Sequence, residues 1–114
     1  MAALEKLCAD EAVDYSRGAA WIDGAFVPAA EAKLSVFDWG FVRSDVTYDV
    51  VHVWQGSFFR LDDHLERFEN SVKGLRMELP VDREGLAAIL HGCVARSGLK
   101  DAYVAMVLTR GLPD

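Results

Sequence analysis

A chain of 114 residues has the length of one domain and can bury a real core. Apolar residues make up 52% of it and charged residues 26%, a soluble globular composition that excludes a disordered one. The formal net charge is −6 and Lys and Arg form no cluster, which argues against nucleic acid or an anionic membrane as the main partner.

A local basic pocket for one small anion is still compatible with that total. No segment approaches the roughly 20 apolar residues of a membrane span, and the acids within residues 1–15 do not suit a signal peptide. A cytoplasmic location follows by default. Cys8 and Cys93 stand at no metal-ligand spacing, and Cys93 falls on an apolar helix position as a small core residue would.

Residues 1–18 read as a leader in which Leu4, Leu7 and Cys8 have the spacing of one or two helical turns. Trp21 to Val27 reads as a hairpin, because Asp23-Gly24 between apolar runs suits a type I′ turn. Pro28 limits further pairing. Residues 37–45 read as a loop, with Gly40 for flexibility and Ser44 and Asp45 for local hydrogen bonds. A loop with this many aromatics must pack against something. Val46 to Trp54 is rich in β-branched and aromatic types and predicts a strand. Gln55-Gly56 predicts a tight turn, and Ser57 to Arg60 a returning strand.

Residues 62–77 are the clearest helix. Asp63 and Glu66 suggest a capping-box start, and Leu61, Leu65, Phe68, Val72 and Leu75 form one apolar stripe before Pro80. Residues 83–97 predict a second helix. Asp82 is its N-cap, Val81 and Leu86 its hydrophobic staple, and Gly98 its stop. Its buried face is Leu86, Ile89, Leu90, Cys93 and Val94. Ala102 to Thr109 is a continuous apolar run, expected as a central strand covered on both faces. Strands, two helices and a further strand give an α+β class, with both helices on one face of a mostly antiparallel sheet. A strand followed at once by Arg110-Gly111-Leu112-Pro113 reads like the middle of a protein, so residues 112–114 are taken as the start of an interdomain linker.

No residue set is a sharp catalytic motif on its own. Asp38, Asp45 and Asp49 are acids on a loop and a strand. His52 and His64 lack a metal partner at ligand spacing, and no metal site is expected. Ser44 has no nucleophile-elbow context, and no Gly-rich phosphate loop occurs. Arg67 lies three residues after His64 on the same helix face, beside the apolar stripe. There it either reaches a phosphate bidentately or snorkels over the core edge, and spacing leaves both readings open.

Residues 37–56, from Phe37-Asp38-Trp39-Gly40 through Tyr48-Asp49-Val50 to Gln55-Gly56, resemble the signature of (R)-selective amine transaminases. So do Phe59-Arg60-Leu61-Asp62-Asp63-His64-Leu65-Glu66-Arg67 and the run Tyr103 to Thr109 with Arg110-Gly111. The likeness covers about residues 19–111 and identifies the chain with fold-type IV, pyridoxal-phosphate-dependent aminotransferases. It implies that residues 19–111 are the small N-terminal domain, that the large domain is absent from this chain, and that the cofactor lies in the cleft between the two. Arg67 matches the small-domain arginine that holds the cofactor phosphate. Tyr48 matches an active-site tyrosine near the cofactor and the substrate's carboxylate or small substituent; otherwise it is a cross-strand packing aromatic. Val50 and Tyr103 match pocket-lining positions, with plain core as the alternative.

Arg43 stands where relatives often carry histidine. It is either a surface charge or a partner for a substrate carboxylate, which keeps a D-amino-acid transaminase open. Lys6, Lys33, Lys73 and Lys100 are the only lysines, and none matches the family's Schiff-base lysine. The resemblance places that lysine, and the glutamate at the pyridine nitrogen, in the large domain. The expected reaction carries an amino group from a primary amine, (R)-configured, to a keto acid such as pyruvate, in a homodimer. The alternatives are a D-amino-acid or branched-chain aminotransferase of the same fold, or a non-catalytic stand-alone binding domain.

Overall fold

The computed structural model describes residues 13–114. Leu4, Lys6, Leu7 and Cys8, and most of the leader, lie outside the described residues. Strands β1 (Ala19–Ile22) and β2 (Ala25–Pro28) form an antiparallel hairpin in which Trp21 faces Phe26. Asp23 and Gly24 both have positive φ, 52° and 82°, as a type I′ turn requires. Pro28, opposite Ala19, is the last paired residue. A short 3-10 turn follows at Ala29–Glu31.

The expected loop at 37–45 contains one helical turn, α1 (Trp39–Val42). Asp38 makes it, because its side chain accepts from the Gly40 N–H at 2.8 Å. Strands β3 (Val46–Trp54), β4 (Ser57–Phe58) and β5 (Ala102–Thr109) build an antiparallel sheet in the order β4-β3-β5. The long predicted strand is therefore the central one. The final apolar run is an edge strand covered on one face only: Met106 is buried while Tyr103 and Val107 face out. An apolar run alone does not separate a central strand from an edge whose outer face is also apolar.

Helix α2 (Leu61–Gly74) lies against β3, and α3 (Arg83–Ser97) closes the same core. The start of α2 differs from expectation. Arg60 is not a strand residue; it sits at the N-cap in the left-handed region (φ 54°) without a side-chain cap. The capping box is not formed, because the Asp63 carboxylate accepts from Arg60 Nε at 2.7 Å instead. The helix also ends early. Arg76 takes a left-handed conformation (φ 57°), and the Met77 N–H turns back to the Val72 carbonyl at 3.0 Å. That closure leaves Leu75 exposed and puts Met77 into the core in its place.

For α3 the boundaries are as expected. Asp82 accepts from the Gly85 N–H at 2.7 Å, and Gly98 (φ 68°) ends it. Val51, Leu65, Phe68, Val72, Leu86, Leu90 and Met106 form the core, with Val81 packed on it, so both helices cover one face of the sheet. Ile89 and Val94 are only half-buried. The buried Cys93 thiol has its pKa pushed up by that burial. The hairpin docks on α3 where Gly92 leaves room: a Cβ there would lie 2.6 Å from Phe26 Cζ. The Arg96 guanidinium covers the same ring at 3.7 Å. No helix of the described residues is long and apolar enough to cross a membrane.

Candidate functional site

Residues of β3 alternate between two faces. Asp49, Val51 and Val53 point to the helices; Tyr48, Val50, His52 and Trp54 point away. Asp49 is thus a carboxylate among apolar side chains, only 5% exposed, and burying its charge unpaired would be costly. Two side chains from α2 meet it. Arg67 donates from Nε to Oδ2 at 2.7 Å and from Nη2 to Oδ1 at 2.8 Å. His64 Nδ1 lies 2.7 Å from Oδ1. The Arg67 hydrogen bond, above all, pulls the Asp49 pKa down to about 2 against the opposing effect of burial. An ionised carboxylate only accepts, so His64 Nδ1 carries the proton and donates it. The 3.3 Å approach of Arg67 Nη2 to the same nitrogen is then a contact, because that nitrogen has no lone pair to offer.

Arg67 therefore uses one edge of its guanidinium on Asp49. Its Nη1 has no partner among the described residues, and the side chain is 67% exposed. Arg67 also lines a shallow depression together with Asp63, Glu66, Asn70 and Ser71. This arrangement is not that of an arginine lying loosely over the core edge.

On the opposite face of the sheet, Tyr48 stands across from Val107, Val50 from Ala105 and His52 from Tyr103. The His52 and Tyr103 rings stack with centroids 4.9 Å apart. Tyr48 is 67% exposed and Tyr103 75%. Tyr48, Val50 and Tyr103 thus share one open, largely apolar wall, and Arg67 lies on the other side of the sheet from it. Arg43 is not on the sheet. It follows α1, exposed, with its guanidinium 4.6 Å from the centre of the Trp39 ring. Phe37 and Phe41 beside it are also exposed, so the aromatic loop does not bury these rings among the described residues.

The other two acids hold the end of β5. Asp38 accepts from the Thr109 hydroxyl at 3.0 Å, and the Trp39 N–H donates to the Gly111 carbonyl at 2.9 Å, so α1 is clasped to the end of β5. Asp45 receives Arg110 Nε at 2.9 Å, while Arg110 Nη2 donates to the Leu75 carbonyl at 2.7 Å. Among the described residues no group of three or more His, Cys, Asp or Glu side chains could hold a metal. The residue whose role sequence reasoning missed is Asp49 as the partner of Arg67. Its signal was parity: it shares the inward face with Val51 and Val53, and an acid there needs a cation.

The amino-transferase class IV family model matches residues 47–114, and the chain belongs to that family. Members of the family are enzymes whose cofactor is pyridoxal phosphate. The chain is 32% identical over 94 residues to a putative branched-chain-amino-acid aminotransferase of Methanocaldococcus jannaschii, covering 82% of this chain and 33% of that protein. It is 28% identical over 93 residues to a D-alanine aminotransferase of Listeria monocytogenes, covering 82% and 32%. Among solved structures, a T.th. branched-chain amino acid aminotransferase with pyridoxamine 5′-phosphate superposes with a TM-score of 0.77 at 34% identity, over 82% of this chain and 32% of that one. The α+β architecture is thus that of the N-terminal part of these aminotransferases. The chain spans about a third of the length of each of these three relatives.

Proposed function

We propose that this chain is the small domain of a pyridoxal-phosphate-dependent aminotransferase, with Arg67 as one clamp on the cofactor phosphate. The observation that carries the reading is the guanidinium pinned by Asp49 with its outer edge free. A phosphate accepts bidentately from such an edge. Asn70 and Ser71 line the same depression and carry further donors, whereas Asp63 and Glu66 there repel an anion. The residues present therefore fit one phosphate contact, and the reading assigns the remaining positive charge to residues outside the described ones.

When bound, the cofactor supplies the electron sink for amino-group transfer. In this reading the chain's own residues bind and orient. Arg67 holds the phosphate end. Tyr48, Val50 and Tyr103 form a wall that excludes water and sets the room for the substrate's side group, and the Tyr48 hydroxyl is a donor at that wall. Arg43 is placed outside the sheet, where it can pair with a substrate carboxylate. The Schiff-base lysine, the large domain and a second subunit belong to the rest of the protein on this proposal. The exposed Leu34, Phe37 and Phe41 are the kind of surface that such neighbours cover. A stand-alone binding role would leave that surface in water.

For the substrate, the names of the relatives favour an α-amino acid, branched-chain or D-configured, with a keto acid as acceptor. The second reading is an (R)-configured primary amine, favoured by the segment from Phe37 to Gly56. A donor panel on the full-length protein separates them. Turnover of α-amino acids alone removes the amine reading; turnover of an (R)-amine lacking a carboxylate establishes it. For the clamp, Arg67→Ala is expected to weaken pyridoxal phosphate binding and leave pyridoxal, which has no phosphate, unaffected. Equal affinities for wild type and variant would remove Arg67 from the site.

A further inference from the structure

If Arg67 grips a phosphate, its two neighbours are unexplained. Asp49 even works against the clamp, since a carboxylate beside a guanidinium weakens its pull on an anion. A buried carboxylate in that place has to do something other than supply charge. We propose that Asp49 is a positioning residue for the phosphate clamp, and that His64 is the anchor that holds Asp49; this rests on the reading of Arg67 just given.

The geometry supports it. An exposed arginine has many rotamers, and a phosphate would have to select one of them. Here two parallel hydrogen bonds, at 2.7 and 2.8 Å, fix both the plane and the direction of the guanidinium. The carboxylate is fixed in turn. It is buried, and Oδ1 also receives the His64 Nδ1–H at 2.7 Å, so it cannot turn about its own axis without losing that bond. The edge left facing outward is then the Nη1 side, the one a phosphate would meet. His64 and Arg67 are three residues apart on α2, so one helix face carries both the anchor and the clamp.

The sign of one substitution separates positioning from charge. If only charge matters, Asp49→Asn removes a negative group and tightens phosphate binding. If Asp49 positions Arg67, the same change loosens it. The measurement is the Kd of the full-length apoprotein for pyridoxal phosphate and for pyridoxal, by fluorescence titration. We expect Asp49→Asn to raise the first about tenfold, in the range for partners that orient a binding group, and to leave the second nearly unchanged. In an Arg67→Ala background Asp49→Asn should have no further effect, because its action runs through Arg67. His64→Leu should give a smaller loss, and His64→Asn, whose amide N–H replaces the Nδ1–H, should restore most of it. A tightening, an unchanged Kd, or losses that add in the double variant overturn the proposal. If Asp49→Asn does not fold by circular dichroism, the His64 pair decides, and wild-type affinity in His64→Leu overturns it. An Arg67→Ala variant with an unaltered ratio of the two Kd values removes the clamp itself and this proposal with it. A changed ratio there, with Asp49→Asn silent, removes this proposal alone.

Discussion

On the helix side of β3, Val51 and Val53 have 0% of their surface exposed, whereas across the strand the wall of Tyr48, Tyr103 and Val107 stands in the open, Val107 at 56%. Both faces are mainly apolar, so hydrophobicity alone does not distinguish them. Cover does. The inner face has α2 and α3 and supplies the folding energy; the outer face has nothing from the described residues over it. Asp49 shows the same division in polar terms. The inner face accepts a charge only by holding it with two partners, while the outer face carries phenol and imidazole groups in contact with solvent.

The largest effects should therefore come from the inner face. Phe68 is fully buried in the core with Val51, Leu86 and Leu90, and Phe68→Ala is expected to cost about 3–5 kcal/mol in urea unfolding, the lost transfer plus an unfilled cavity. A cost below about 1 kcal/mol would mean that the inner face is loosely packed and the contrast between the two faces weak.

The next effect tests the clasp that joins α1 to the end of β5. A Cβ on Gly40 would lie 2.6 Å from Thr109 Cγ2 and 2.8 Å from its Cβ. Thr109 is also the donor to Asp38, so it cannot move aside without breaking that bond. Gly40→Ala should destabilise by about 1–3 kcal/mol. Gly74→Ala is the control. It ends α2 with open space around it and no positive φ, and should stabilise by up to about 1 kcal/mol. The same sign for both would show that the Thr109 contact does not decide.

Acid probes the inner face more gently. The Asp49 pKa falls from 3.8 to about 2 on folding, so its contribution to stability is complete by about pH 5, well above 3.8, and is lost as the pH drops through 2. The amount is about 1–2 kcal/mol, kept low because the Arg67 partner is solvent-screened. Unfolding free energies at pH 5, 3 and 2 should fall across that window, and Asp49→Asn should flatten the fall. An equal slope in both proteins would assign the acid loss to other carboxylates.

How far these faces were legible beforehand depended on what each signal was local to. The β3 strand, both Xaa-Gly turns and the α3 boundaries follow from neighbours in sequence: β-branched runs, Asp23-Gly24, Gln55-Gly56, Asp82 and Gly98. The end of α2 was not legible, since Arg76 in a left-handed conformation carries no Gly or Asn signal, and Met77 replaces Leu75 only once the turn is made. The edge position of β5 was hidden because it depends on which strand pairs with which. The candidate site divides the same way. Arg67 was visible as a helix residue beside an apolar stripe, but its grip on Asp49 needed α2 to lie over that face of β3. Tyr48 and Tyr103 come to a common wall through the register that sets Tyr48 against Val107 and His52 against Tyr103.

The smallest expected effect is the one most specific to the open wall. Val107→Thr changes little volume, on an edge strand whose outer face has solvent for a hydroxyl to bond. On the stability of this chain it should stay within about 0.5 kcal/mol, where the same swap at Val51 would bury an unpaired hydroxyl and cost about 1–3 kcal/mol. If Val107→Thr costs as much as Val51→Thr, the outer face is covered in solution and the division between the faces is wrong. If the two separate as expected, Val107→Thr in the full-length protein becomes a clean probe of the proposed pocket. Folding is then unchanged, and a shift in KM for donors with bulky apolar side chains, with little change for small ones, reports contact between the wall and the substrate's side group.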